Sequence, residues 1–278
     1  MMKIYNEVSH HCSVITTELY STSFSSAIKL LHKDLRDPIF HIYGFVRFAD
    51  EIVDTFHEHD KGTLLAEFTK ETYQALDRKI SLNPILHSFQ QVVNRYNIDR
   101  ALIVAFFRSM ELDLSEVAYD KQGYSEYIYG SAEVVGLMCL YVFCNGEVQL
   151  YNQLKPYAQS LGAAFQKINF LRDIKADAEE LNRVYFPDVD FNHFTSEMKA
   201  AIEADIALDF ANAFKGILLL PSSSRLGVYT AYRYYLSLFD KIKTASPQQL
   251  LTMRIRVPNF QKWLILLKSK MAVQFNFL

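Results

Sequence analysis

Residues His41 to Asp54 read as a helix with its usual proportions inverted. At about 100° per residue, Tyr43, Arg47, Asp50 and Asp54 fall within roughly 60° of one another. Nearly all the remaining surface is apolar, with Ile42, Phe45, Val46, Phe48, Ala49, Ile52 and Val53. A helix that is apolar almost all round is buried. Its one polar stripe therefore faces an internal cavity rather than bulk water, and other elements must enclose it.

The pattern recurs from Ala163 to Asp177. Gln166, Asn169, Asp173 and Asp177 form a stripe about 80° wide, set among Ala164, Phe165, Ile168, Phe170, Leu171 and Ile174. One D-x-x-x-D on a helix is ordinarily a solvated face with accidental spacing. Two of them, each continued in register by polar residues and flanked by apolar ones, are hard to explain that way. Like charges at i and i+4 cost about 0.2–0.5 kcal/mol even when exposed. In a partly buried site the cost rises until the group takes a proton or a cation. Aspartates from two helices facing one cavity make an anionic site of oxygen donors, the preference of Mg²⁺, which keeps waters and takes a few carboxylates plus substrate phosphates. A diphosphate head on a hydrocarbon tail suits such a chamber.

The rest of the chain is consistent with an enclosing helical wall. Helical periodicity extends over roughly 16–32, 38–57, 62–79, 83–95, 99–117, 124–145, 147–181, 197–219, 225–244 and 247–272, without convincing strand alternation. Only 9 glycines and 7 prolines are present among 278 residues, few for a turn-rich β architecture. Breaks fall at Ser81–Pro84, Cys144–Gly146, Phe186–Thr195 and Leu220–Ser224, none long or polar enough for a linker. The expectation is an all-α single domain over 1–278, a bundle of about ten helices around a central cavity.

A net charge of −2, from 29 basic and 31 acidic residues, disfavours nucleic acid as a partner. Cys12, Cys139 and Cys144 are an odd set without zinc spacing, expected to be reduced thiols in a cytoplasmic protein. The polar N-terminus lacks the apolar stretch of a signal peptide, and no uninterrupted apolar run approaches the ~20 residues of a membrane span.

On these residues the chain resembles the squalene/phytoene synthase family of head-to-head isoprenoid synthases, from Ser21 to about Lys268, and looks closest to its bacterial phytoene synthases. Ser21-Thr22-Ser23-Phe24 is similar to the family's S-x-S-F. Arg47-Phe48-Ala49-Asp50-Glu51-Ile52-Val53-Asp54, with Tyr43 before it, resembles the first aspartate-rich motif. Met110-Glu111-Leu112-Asp113-Leu114 and the stretch from Tyr127 to Gly136 resemble two further family helices. Gln166, Asn169, Asp173 and Asp177, followed by Arg183-Val184-Tyr185, match the second motif and its tail. Ala176 departs from relatives that carry an acidic residue there, and the spacer to Arg183 is slightly longer than the common pattern.

The resemblance implies Mg²⁺ (or Mn²⁺) on Asp50, Asp54, Asp173 and Asp177, with those aspartates, Arg47 and Tyr129 catalytic. It implies substrate contacts from Ser21, Ser23, Tyr43, Gln166, Asn169, Arg183, Tyr185, Tyr235 and Arg254. The expected reaction is condensation of two geranylgeranyl diphosphates through a cyclopropyl intermediate to phytoene, with no NADPH. A squalene or dehydrosqualene synthase using two farnesyl diphosphates is the alternative. A non-catalytic helical relative acting as an assembly factor is disfavoured, because all four aspartates are retained.

Other residues read more plainly. Asp113, among Leu112, Leu114 and Val117, suits a structural hydrogen bond. His57-Glu58-His59 suits an exposed helix end, and Glu7-x-x-His10 occurs once where a di-iron bundle needs the spacing twice. The segment Gln261–Lys270 mixes apolar residues with lysines, fitting peripheral contact with a membrane or, more simply, packing on the domain.

Overall fold

The burial of the first striped helix dictates the arrangement around it. The computed structural model describes residues 2–275 and 277 apart from 116–118, 181–184, 188 and 190–192, and for 175–180 the backbone alone. Among the described residues every regular element is helical. The order runs α1 Met2–Tyr20, α2 Thr22–Ile28, α3 Lys33–Asp54, α4 Lys61–Arg78, α5 Pro84–Tyr96, α6 Arg100–Ser115 and α7 Lys121–Ile128. A π-helical turn, Tyr129–Glu133, leads into α8 Val134–Cys144. Then follow α9 Val148–Glu180, α10 Ser196–Leu219, α11 Ser222–Thr244, α12 Pro247–Thr252 and α13 Asn259–Gln274.

Helix α3 is enclosed by α1, α2, α4, α5, α6 and α8. Its Phe45 is fully buried and lies parallel to Phe89 of α5, with ring centroids 3.8 Å apart. Phe106 and Phe107 of α6 and Phe68 of α4 close around the same ring. Each such side chain taken from water contributes roughly 1.5–3 kcal/mol. The second striped helix, α9, packs on α8, the π turn and α10. Two glycines let it come close. A Cβ on Gly162 would stand 2.7 Å from the backbone oxygen of Ala132, and one on Gly216 of α10 would stand 2.2 Å from Tyr157 Cβ.

Helix α1 was not legible from apolar periodicity, for a definite reason. The face it buries consists of Ser9, Ser13, Thr16 and Thr17, while Ile4, Val8, Ile15 and Leu19 are exposed. The buried hydroxyls of Ser9, Thr16 and Thr17 donate to the carbonyls of Tyr5, Cys12 and Ser13 at 2.8–2.9 Å, so burial leaves them satisfied. Ser13 Oγ lies 2.8 Å from Ser88 Oγ of α5.

The expected helix over 247–272 is divided. Proline at 258 biases Val257 toward an extended backbone, and Met253 already leaves the helix with φ −144° and ψ 143°. The stretch Lys121–Cys144 is not an uninterrupted apolar run, since Glu133 falls inside it. By length and composition it could cross a membrane, yet half of its most apolar window is buried, with Val134, Leu137 and Met138 completely so.

Where α1, α3 and α5 meet, His41 is buried with its Nε2 3.1 Å from His10 Nδ1. Burial first, then repulsion from His10 and His87, pushes its pKa down to about 3, against a small opposing bond to the Ser88 backbone. Asp37 is 3.8 Å from the far nitrogen of His10. The unfolded chain protonates this histidine near pH 6.5 and the folded one does not. His41 therefore weakens the fold as pH falls from about 6.5 toward 3, by up to roughly 1.4 kcal/mol per pH unit. Urea midpoints measured from pH 6.5 to 4.5 should fall less steeply for His41→Gln than for the unaltered chain, and equal slopes would refute the assignment.

Candidate active site

A cavity of about 490 Å³ lies between α3, α8, α9, α10 and α11, capped by α2. Along α3 its wall runs Ile39, Ile42, Tyr43, Val46, Arg47, Asp50. Along α9 it runs from Leu154 through Leu161 and Phe165 to Gln166, Asn169 and Arg172. Both helices begin apolar and end polar. The two polar ends are tied together by Phe24 of α2, whose ring lies 5.8 Å from Tyr43, 6.0 Å from Phe165 and 5.8 Å from Tyr235 of α11. Tyr235 stacks on Phe165 at 3.8 Å and donates to Asn169 Oδ1 at 3.3 Å. Ser21 caps α2 by accepting from the Phe24 N–H at 3.2 Å, and it also hydrogen-bonds the Tyr43 hydroxyl.

The electrostatics of the first motif are strained. Burial, then the neighbouring Asp54, pushes Asp50 up to about 8, with Asp113 and Glu51 adding to the shift and Arg47 opposing it. Arg47 is committed to Glu51 at 2.5 Å and lies 4.2 Å over the Tyr20 ring. Its Nε is buried with no hydrogen-bond partner among the described residues, an unmet donor beside the cavity that suits an anion.

At the second motif the sequence stripe is only partly realised. Asp173 does not line the cavity. Its oxygens are held by Arg172 at 2.5 Å and by Arg254 at 2.8 Å, and those two arginines are the ones that reach the wall. Arg254 arrives there because the chain breaks between α12 and α13. The side chain of Asp177 and all of Arg183 lie outside the described residues.

Other sequence-based assignments move. Tyr129 is not on the cavity wall, whereas Gly136, seven positions later, is. On an unbroken α-helix the two would share a face, and the wider π turn between them rotates Tyr129 away, toward Asp99 and Tyr151. Ser23 is half-buried and off the wall, as is Asp54 at the end of α3. Tyr185 is buried in an aromatic cluster, stacked on Phe170 at 4.0 Å and beside Tyr127 and Tyr119. Tyr127 donates to Asp113 at 2.9 Å, the structural bond expected for that aspartate. His57, Glu58 and His59 are exposed beyond α3, as expected.

Phe24, Arg172, Tyr20 and Glu51 form the site without having been singled out as functional. Arg172 stands three residues after Asn169 and seven after Phe165, so helical phase carries it onto the same wall, beside the stripe residue Asp173. Cys139 lines the apolar wall, its thiol pushed up to about 12 by burial and therefore inert.

Among the described residues no three or more His, Cys, Asp or Glu side chains converge to hold a metal alone. The donors that are present still fit magnesium. They are carboxylate oxygens, and the like charge that raises Asp50 is what a divalent cation would relieve, with other positions left to phosphate oxygens and water.

The helical fold and a cavity apolar along most of its length and charged at one end suit a ligand with an anionic head and an apolar tail. Comparison with known proteins agrees. The family model for squalene/phytoene synthases matches residues 17–261. The chain is 26% identical to the 15-cis-phytoene synthase of Pantoea ananas, over 85% of this chain and 83% of that one. It is 26% identical to the 4,4'-diapophytoene synthase of Staphylococcus haemolyticus, over 73% of this chain and 70% of that one. A dehydrosqualene synthase crystal structure superposes with a TM-score of 0.81 over 98% of both chains at 19% identity, a likeness of fold. The chain belongs to the squalene/phytoene synthase family, whose members are prenyltransferases that condense prenyl diphosphates head to head.

Proposed function

We propose that this chain is a phytoene synthase, joining two geranylgeranyl diphosphates through a cyclopropyl diphosphate to phytoene without NADPH. The observation that carries it is the polarity gradient of the cavity, apolar along most of α3 and α9 and ringed at one end by Asp50, Arg47, Arg172 and Arg254. Similarity to a phytoene synthase over most of the chain supports the choice of substrate.

Magnesium taken up by Asp50, with Asp54 one turn on and Asp173 once Arg172 and Arg254 turn from it to the diphosphate, would neutralise the diphosphate oxygens, and Asp177 is the remaining donor of the second motif. The chain's own residues do the rest. Arg47 offers its unmet Nε to the departing diphosphate, and Arg172 and Arg254 add fixed positive charge there. Ser21, Gln166 and Asn169 orient the head group, while Arg183 and Tyr185 belong to the segment following it. The ring faces of Tyr43, Phe165 and Tyr235 replace Tyr129 as the surfaces available to a passing allyl cation. The apolar wall keeps water from quenching that cation.

A second reading, condensation of two farnesyl diphosphates, is favoured by the similarity to the diapophytoene synthase. Purified protein incubated with Mg²⁺ and either diphosphate, with and without NADPH, separates the two. The expected result is phytoene from the C20 substrate, independent of NADPH and lost in excess chelator. Turnover of the C15 substrate alone would replace the first reading with the second.

A further inference from the structure

Helix α13 packs on α11 and presents an apolar face outward. Phe260, Trp263, Leu267 and Met271 are 69, 56, 36 and 52% exposed and occupy a sector of about 80°. The fully covered Ser269 lies on the opposite side. Lys270 and Lys268, both exposed, flank the sector at either edge. An apolar stripe edged by lysines is the layout of a helix lying in a bilayer interface, with the ammonium groups reaching up to phosphate.

The location of the stripe gives it a purpose. Its first turn adjoins the polar end of the cavity, where Lys262 Nζ donates to Thr22 Oγ1 at 3.0 Å, next to cavity-lining Ser21, and sits within the field of Arg172. Tyr20, half exposed, lines the cavity at the same end.

We propose that α13 docks this protein on an anionic phospholipid bilayer, with Phe260, Trp263, Leu267 and Met271 inserted and the cavity's polar end held at the membrane surface. The passage of prenyl substrate or hydrocarbon product between lipid and cavity rests on the function proposed above. The docking itself rests on the surface alone.

Trp263 is the chain's single tryptophan, so the unaltered protein carries its own probe. Its emission should shift to the blue with vesicles of phosphatidylcholine and phosphatidylglycerol, and brominated acyl chains should quench it. Replacing Phe260, Leu267 and Met271 together by serine should lower the partition coefficient at least tenfold. Lys268→Gln with Lys270→Gln should lower it about fivefold per lysine, only where phosphatidylglycerol is present. If the serine variant melts abnormally, the lysine pair carries the test.

Emission unmoved by vesicles, or partitioning undiminished in both variants, would overturn the proposal. So would a self-association that the serine variant abolishes while vesicles leave Trp263 unchanged, which would assign the face to a second copy of the chain. No turnover is involved, so failed condensation with intact vesicle binding would count against the enzymatic reading alone.

Discussion

Replacing Asp50 by asparagine is expected to lower kcat by about a thousandfold or more while raising, in metal-free buffer, the melting temperature. Both effects have one cause. Burial and the charges of Asp54, Asp113 and Glu51 hold the Asp50 carboxyl near 8, so ionising it opposes folding. The unfolded chain gives up that proton near pH 4 and the folded one keeps it to about pH 8. Stability contributed by Asp50 is thus complete at low pH and is lost as pH rises through that window. Asparagine keeps the shape and removes the titration, and with it the carboxylate that magnesium would use. Thermal melts in chelator at pH 8, set beside steady-state turnover, test both halves. A variant that is less stable yet fully active would contradict each. Because His41 acts in the opposite sense below pH 6.5, each residue must be read as a difference between variant and unaltered chain.

The largest loss of stability is expected from Lys167→Met. Lys167 is buried on the side of α9 away from the cavity, and its ammonium donates to Asp205 at 2.5 Å and Asp209 at 2.7 Å, both on α10. Removing one partner of a buried pair leaves an uncompensated charge, here chiefly on half-buried Asp209, at a cost of about 3 kcal/mol. The cost should be at the low end of such cases because Asp205 is 55% exposed and rehydrates. The double replacement Lys167→Met with Asp209→Leu should recover at least half, since it removes the stranded charge as well. Urea unfolding reads both, and a double variant no better than the single one would refute the desolvation argument. Loss of the clamp should affect turnover only as the fold itself weakens.

The readable part of the site was the part carried by helical phase. Tyr43, Arg47, Asp50, Gln166 and Asn169 reach the cavity because a straight helix keeps residues three and four apart on one face. Tyr129 failed on the same rule, because a π turn changes the phase between it and Gly136. Helix α1 was missed because its buried side is hydroxylic, satisfied by carbonyls one turn back, so its polarity mimics an exposed segment.

The sequence by itself determined that α3 and α9 must be enclosed, since helices apolar nearly all round lose too much free energy in water. It also determined that their acidic stripes would want a cation. Which charges meet was decided only by the tertiary structure. Arg172 and Arg254 clasp Asp173 from positions with no common period, and Phe24 closes one ring cluster across three helices. Such pairings depend on how elements distant in the chain are brought side by side, and no periodicity within a single helix encodes that.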